Sequence, residues 1–305
     1  MTTHNVTPFE SKITLSQFLQ QTAHRLWHGN HRIRNLKKLN HFCQFGNNKD
    51  RNLADFNALH IYDFVGYLEH DRYNRKTGEH GLGNNSVNRY ISAISSVFRH
   101  AQELGYIPQA PRIRYKRVES GRARYFTQNE IDQLKQFFRT SGYPAMVHFT
   151  TLALNTGMRK SEILGLNQTP QSLPDDVSTW GEIQVKEGSV YAKLRETKTG
   201  VPRSVPLNKE ARRALGALDG LPLKHYDHHK FYCFWNRARE LIAPGDKEFV
   251  FYVCRHTFAT SLVHDHKVHD LQLQTLMGHK SLMTTKRYCH PKDEANAQTL
   301  DALSF

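Results

Sequence analysis

Residues 251–290 read FYVCRHTFATSLVHDHKVHDLQLQTLMGHKSLMTTKRYCH and hold Arg255, His279 and Tyr288 within one stretch. A guanidinium grips phosphate through a forked pair of charged hydrogen bonds, an imidazole donates a hydrogen bond to it or passes a proton, and a phenol hydroxyl can attack as a nucleophile. Together the three side chains suit phosphoryl transfer without a metal. A second arginine, Arg159, opens an expected helix within NTGMRKSEILGL (155–166). The helix dipole disfavours a cation there, yet an anion bound at the same N-terminus would be stabilised by one. Lys198 stands at or near the tip of an expected hairpin, a stiff way to push one ammonium toward a ligand. Singly, these residues have plainer readings: Arg255 in a helix-surface ion pair, His279 at a helix C-terminus, Tyr288 as a half-buried ring, Lys198 as a solvated turn lysine. They make a site only if the fold gathers them.

The elements that must gather them are mostly helices. Thr14 is an expected N-cap with an apolar period behind it to about Trp27. Further helices are expected over 32–45, 56–70 and from Ser86 to Leu104, the last with Val87, Ile91, Ile94, Val97, Phe98 and Ala101 on one stripe. GNNKDRN (46–52) and the glycine-containing 71–85 are expected loops. Four such helices make a small bundle whose exposed cations, Arg89 and Arg99 among them, are candidates for phosphate contact. Pro108 and Pro111 close it. The next segment carries Arg112, Arg114, Lys116, Arg117, Arg122 and Arg124 without an apolar period, and reads as a basic linker that would cross a duplex or simply be solvated.

Beyond the linker, Thr127 and Glu130 form a capping box for a helix through Phe138, and 144–156 is an apolar helix ended by Gly157. The period then falls to two over 182–186, 189–195 and 203–207, which predicts a small antiparallel sheet. Helices are expected again over 209–218, 228–242, 253–264, 271–277 and 283–288, followed by a tail with Leu300, Leu303 and Phe305.

Composition narrows the partner. The 305 residues suffice for two cores, and 42 Lys and Arg against 28 Asp and Glu leave a formal charge of +14. Residues 1–120 carry 17 of those cations and 9 of the anions, so both halves are basic and could face one polyanion. Nucleic acid is expected before a membrane surface, and no apolar run has the length of a membrane span. Cys43, Cys233, Cys254 and Cys289 are far apart with no CxxC, which predicts reduced thiols and a cytoplasmic, DNA-associated protein. HYDHH (225–229) and VHDHKVHD (263–270) lack zinc-site spacing, so no metal and no cofactor is expected.

Four segments in order, NTGMRKSEILGL (155–166), ETKTGVPRSVPL (196–207), YVCRHTFATSL (252–262) and LMGHKSLMTTKRYCH (276–290), resemble the boxes of the tyrosine recombinase (phage integrase) family. SVNRYISAISSVFRHAQELGYI (86–107) resembles that family's core-binding domain. The resemblance implies a mainly α fold with a small antiparallel β-sheet: a helical core-binding domain over 1–110, a basic linker over 111–124, and a mixed α/β catalytic domain over 125–305 with a C-terminal tail. It implies a simple Xer-like or Cre-like enzyme without an arm-binding domain, clamping double-stranded DNA at specific recombination sites. Four copies would act on two duplexes, with the apolar tail docking on a neighbour.

Box by box, Arg159 and Arg255 match the two family arginines, Lys198 the hairpin lysine, His279 the third-box histidine and Tyr288 the nucleophile. Glu162 matches an acid that supports the first box. The implied chemistry is cleavage and rejoining through a 3′-phosphotyrosyl ester with a 5′-hydroxyl leaving group, Lys198 protonating the leaving oxygen. One position departs: where most members have His, three residues before the second arginine, this chain has Tyr252. Tyr252 is expected to hydrogen-bond near Arg255 but to serve poorly as a base, which leaves His279 or solvent to take the proton from Tyr288. NQTPQSLPDDVSTW (167–180) is an expected surface insertion. Two other readings compete: a DNA-binding member that has lost catalysis, which Tyr252 keeps open, and a relaxing enzyme of the type IB topoisomerase kind.

Overall fold

The computed structural model describes residues 13–74, 78–118, 124–174, 177, 179–195, 202–286 and 288. The chain divides into two compact units, Met1–Ser120 and Gly121–Phe305.

In the first unit, α1 (Leu15–Leu26) starts where Thr14 Oγ1 accepts the Gln17 amide and the Gln17 side chain accepts from Thr14 N. It is followed by α2 (Gly29–Gln44), a 3-10 turn at Phe45–Asp50, and α3 (Ala58–His70). Asn57 Oδ1 caps α3 by accepting from Leu59 N and His60 N. A two-residue hairpin, β1 (Tyr73–Asn74) with β2 (Glu79–His80), lies within the expected loop before α4 (Asn84–Glu103). The expected stripe of α4 is buried, and Phe18, Phe42, Phe64 and Phe98 are fully enclosed around it. Burial of one such ring is worth about 1.5–3 kcal/mol, so this unit has a core of its own.

Residues 114–117 of the expected basic linker run back along this unit. The Asn88 side chain holds the Lys116 peptide at both ends, donating to its carbonyl at 2.9 Å and accepting its amide at 2.7 Å. Asn84 Nδ2 donates to Arg117 O at 2.8 Å, Tyr62 OH accepts from Arg114 N at 3.3 Å, and Lys116 Nζ meets Glu69 at 2.7 Å. An extended segment has no backbone partners of its own, and here α3 and α4 supply them.

The second unit opens with α5 (Gln128–Thr140), capped by Thr127 and Glu130, and α6 (Ala145–Thr156), which lead into the short α7 (Lys160–Leu164). The sheet is antiparallel in the order β3 (Gly181–Lys186), β4 (Ser189–Leu194), β5 (Arg203–Pro206), with Leu194 opposite Arg203. Residues 167–173 are mostly exposed, and Asn167 pins the segment by donating to Gly181 O at 2.7 Å from its amide and to Gly220 O at 2.9 Å from its side chain. Then come α8 (Lys209–Gly216), α9 (His228–Ile242), α10 (Val253–His264), α11 (Asp270–Met277) and α12 (Leu282–Lys286). Phe138, Phe149, Phe231 and Phe249 are fully buried in one core with Trp235. A smaller apolar cluster of Ala259, Leu273, Met277 and Tyr288 ties α10, α11 and the turn after α12 together. No described helix is long and apolar enough to cross a membrane.

Candidate active site

Two glycines shape the first half of the site. Gly157 ends α6 at φ +60°, and a Cβ there would stand 2.4 Å from the Phe258 ring on α10. Gly278 ends α11 at φ +62°, and a Cβ there would stand 2.5 Å from Arg203 Cδ. Only glycine turns the chain this tightly against a neighbour at no steric cost. The turns leave backbone oxygens facing inward: Arg255, in the first turn of α10 and 1% exposed, donates to Gly157 O and to Met277 O.

Around Arg255 lie two more arginines and one carboxylate. Arg159, the residue before α7, donates from its backbone N at 2.7 Å and from Nη1 at 2.8 Å to the two oxygens of Glu162. Arg203 on β5 donates to Glu162 at 2.7 Å and to Leu276 O. Burial pushes the Glu162 carboxyl upward, but the charges of Arg203 and Arg159 and the Arg159 amide outweigh it and hold it below its ordinary value. Arg255 is displaced downward, first by burial and then by the positive charge of Arg159. Arg203 is also lowered, chiefly by burial. Three guanidinium groups facing one carboxylate form a cluster that is short of negative charge, and the Nε atoms of Arg255 and Arg203 are buried without a hydrogen-bond partner among the described residues. Such a cluster is built to take an anion.

Lys160 fixes the start of α7. Its Nζ donates to Tyr226 OH at 2.7 Å and to Tyr232 OH at 3.1 Å, and stands 4.8 Å from the Tyr232 ring centroid. Burial alone would lower this ammonium; the hydrogen bonds to the two phenols reverse that and raise it. The charged Lys160 thus lies against three aromatic rings, next in sequence to Arg159.

The second half of the site surrounds Tyr288, 4% exposed, its ring within the small apolar cluster. Its hydroxyl is hydrogen-bonded to Nδ1 of His256 on α10. His279 lies nearly parallel to the Tyr288 ring, 9° between planes and 6.3 Å between centroids, with its Nδ1 paired to Thr285 Oγ1 at 2.9 Å. Tyr252, 47% exposed, sets its ring edge-on to His256 at 4.9 Å and acts electrostatically on Arg255. The fold thus brings together Arg159, Tyr252, Arg255, His279 and Tyr288, which lie up to 129 positions apart by number. Lys198 lies outside the described residues, in the connection between β4 and β5.

Sequence reasoning missed Arg203 and gave no role to His256. Both left a signal. Arg203 shares the inward face of β5 with the buried Val205, where alternation would otherwise place an apolar side chain. His256 is one helical turn from Tyr252, so the two share a face.

The expected DNA contacts separate into groups. Arg89 and Arg99 are exposed on α4, and Arg114 and Arg117 are exposed on the strapped segment. Lys38 on α2 is lowered by burial and then by the charges of Arg89 and Arg34, which locates a shared cationic patch on the first unit. Lys116 is engaged with Glu69, and Arg122 lies outside the described residues. Arg124 is engaged within its own unit: its guanidinium bonds Glu130 and Asp246 and lies over the Phe126 and Phe249 rings, 5.1 and 5.2 Å from their centroids. It anchors the start of the second unit through bonds to Asp246, Glu130 and the Tyr125 carbonyl.

Arg124→Ala is therefore expected to lower stability by roughly 1–3 kcal/mol, read as a fall in Tm, with DNA affinity nearly unchanged. Glu130 is held below its ordinary pKa, first by the hydrogen bond from Arg124, so this contribution is present at neutral pH and is lost as the pH falls through the depressed carboxylate value. Weaker DNA binding with an unaltered Tm would restore the phosphate-contact role.

The chain is similar to several known proteins. The phage integrase family model matches residues 124–295, and the phage integrase SAM-like domain model matches residues 15–116. A shufflon-specific DNA recombinase from Escherichia coli is 30% identical over 238 residues, 75% of this chain and 56% of that relative, so the chain spans little more than half its length. The tyrosine recombinase XerC of Roseiflexus sp. (strain RS-1) is 27% identical over 288 residues, 85% of this chain and 83% of the relative. Among solved structures, the Tn1549 transposon integrase in complex with transposon right end DNA matches with a TM-score of 0.68 at 16% identity, covering 95% of this chain and 99% of that one. A lambda integrase dimer bound to a COC′ core site matches at 0.65 and 18%, covering 91% and 96%. These structural likenesses establish the fold.

Proposed function

From the premise that this chain belongs to the phage integrase family, we propose that it is a site-specific DNA recombinase that cuts and rejoins strands through a phosphotyrosyl ester. The observation that carries this is the anion-deficient cluster of Arg159, Arg203 and Arg255 around one Glu162, in the same unit as a Tyr288 hydroxyl already hydrogen-bonded to a histidine. Tyr288 Oη attacks the scissile phosphorus in line. Arg159 and Arg255 stabilise the charge gathering on the non-bridging oxygens, a contribution of several kcal/mol when the donors are desolvated. Glu162, itself paired with Arg203, holds Arg159 in place, and the carbonyls of Gly157 and Met277 hold Arg255. His279 donates a hydrogen bond to the phosphate, and Lys198 protonates the departing 5′ oxygen. The ester at the 3′ phosphate conserves bond energy, so the 5′ hydroxyl of another strand can reverse the step.

The substrate is double-stranded DNA carrying a specific site, with Arg89, Arg99, Arg114 and Arg117 neutralising backbone phosphates. Four copies act on two duplexes, and Leu300, Leu303 and Phe305, which lie outside the described residues, supply the contact between copies. Names of the relatives favour strand exchange over simple relaxation.

Binding selection from random duplexes would first recover the site. Two duplexes of unequal length carrying it are then expected to yield recombinant-length products. Relaxation of a supercoiled plasmid without exchange would reassign the chain to a relaxing enzyme. Site-specific binding with neither cleavage nor exchange would leave it a binding protein.

A further inference from the structure

We propose that His256, rather than His279 or solvent, positions the Tyr288 hydroxyl and accepts its proton during attack; this rests on the reading of Tyr288 as the nucleophile. The reacting oxygen of Tyr288 is hydrogen-bonded to Nδ1 of His256. The His279 ring lies nearly parallel to that of Tyr288, 6.3 Å between centroids, and its Nδ1 is paired with Thr285 Oγ1. The position one turn earlier holds Tyr252, whose phenol is a hydrogen-bond donor but a poor base. Its ring instead packs edge-on against His256 and limits how far that imidazole can turn.

The placement also couples proton transfer to phosphate binding. His256 directly follows Arg255, and Arg255 is clamped by the carbonyls of Gly157 and Met277. One turn of α10 therefore carries both the phosphate ligand and the proton acceptor. When Tyr288 Oη bonds to phosphorus, its proton moves to His256 Nδ1; the phosphorus–5′ oxygen bond breaks, and that oxygen takes a proton from the Lys198 ammonium. Rejoining runs each transfer backwards, with no oxidant, metal or co-reactant consumed. Among the described residues, the titratable groups in contact with His256 are Tyr252 from its own helix and Tyr288, with His279 stacked against Tyr288.

The test is single-turnover cleavage of a nicked suicide duplex at saturating protein. His256→Asn keeps a hydrogen-bonding side chain but no basic nitrogen, and is expected to form the Tyr288 adduct roughly 100-fold more slowly with unchanged DNA affinity. The wild-type rate should rise between about pH 6 and 7, and His256→Asn should lose that limb. On a substrate with sulfur at the bridging 5′ position, whose thiolate leaves without protonation, Lys198→Ala should recover while His256→Asn stays slow. Added imidazole should restore part of the rate in His256→Ala, which a purely structural defect would not permit. Wild-type rates in His256→Asn, or a deficit that vanishes on the sulfur substrate, would overturn this assignment while leaving Tyr288 as nucleophile. No adduct from the wild type would overturn the nucleophile as well.

Discussion

Tyr288→Phe is expected to bind its DNA site as the wild type does and to form no covalent adduct. The substitution removes one oxygen from a ring packed among Ala259, Leu273 and Met277, so the apolar cluster keeps its shape. The lost hydrogen bond to His256 is worth about 0.5–1.5 kcal/mol, too little to unfold a unit with a large separate core. Chemically the loss is total, because no other atom of that side chain can attack phosphorus. A protein–DNA band that survives detergent and heat in Tyr288→Phe would place the nucleophile elsewhere.

Arg255→Ala is expected to slow cleavage by a factor of roughly 10²–10³ or more, the range for removing a preorganised donor from a desolvated site. Affinity should change far less, since one phosphate contact among many is lost and the salt slope of binding falls by only about one. Arg255→Lys should fare little better than Ala. The guanidinium spans Gly157 O and Met277 O at once while also presenting its Nε edge, and a single ammonium cannot reproduce that fork. Single-turnover rates beside binding curves at several salt concentrations separate the two effects. Cleavage within threefold of the wild type in Arg255→Ala would remove this residue from the chemistry.

Periodicity and caps made most elements legible. The stripe from Val87 to Ala101 reads as one helix face and is one. Thr14 and Thr127 each mark a helix start with a polar residue three places on, and both caps form. The two-residue period over 182–207 likewise emerges as three antiparallel strands. Helix starts were less legible where the signal was weak: α2 begins at Gly29, three residues before the expected Arg32, because no capping side chain bonds there.

What stayed hidden depends on contacts between residues distant in sequence. A run of cations from Arg112 to Arg124 looks uniform, yet Lys116 belongs to Glu69 and Arg124 to Asp246, partners 47 and 122 positions away. The backbone of 114–117 has no period to read, because its order comes from the side chains of Tyr62, Asn84 and Asn88. The candidate site shows the same division. Arg159, Arg255 and Tyr288 are recognisable by type and motif, whereas the partner of the Tyr288 hydroxyl is decided by how α10 packs against the turn after α12.

The central claim is that Tyr288 becomes bonded to DNA, and the most direct measurement is to digest the covalent complex trapped on a nicked suicide duplex with protease and nuclease and map the modified peptide by mass spectrometry. The expected result is a nucleotide phosphoester on Tyr288, carried through the 3′ phosphate. A phosphoester on any other residue, or a 5′ linkage, would contradict it.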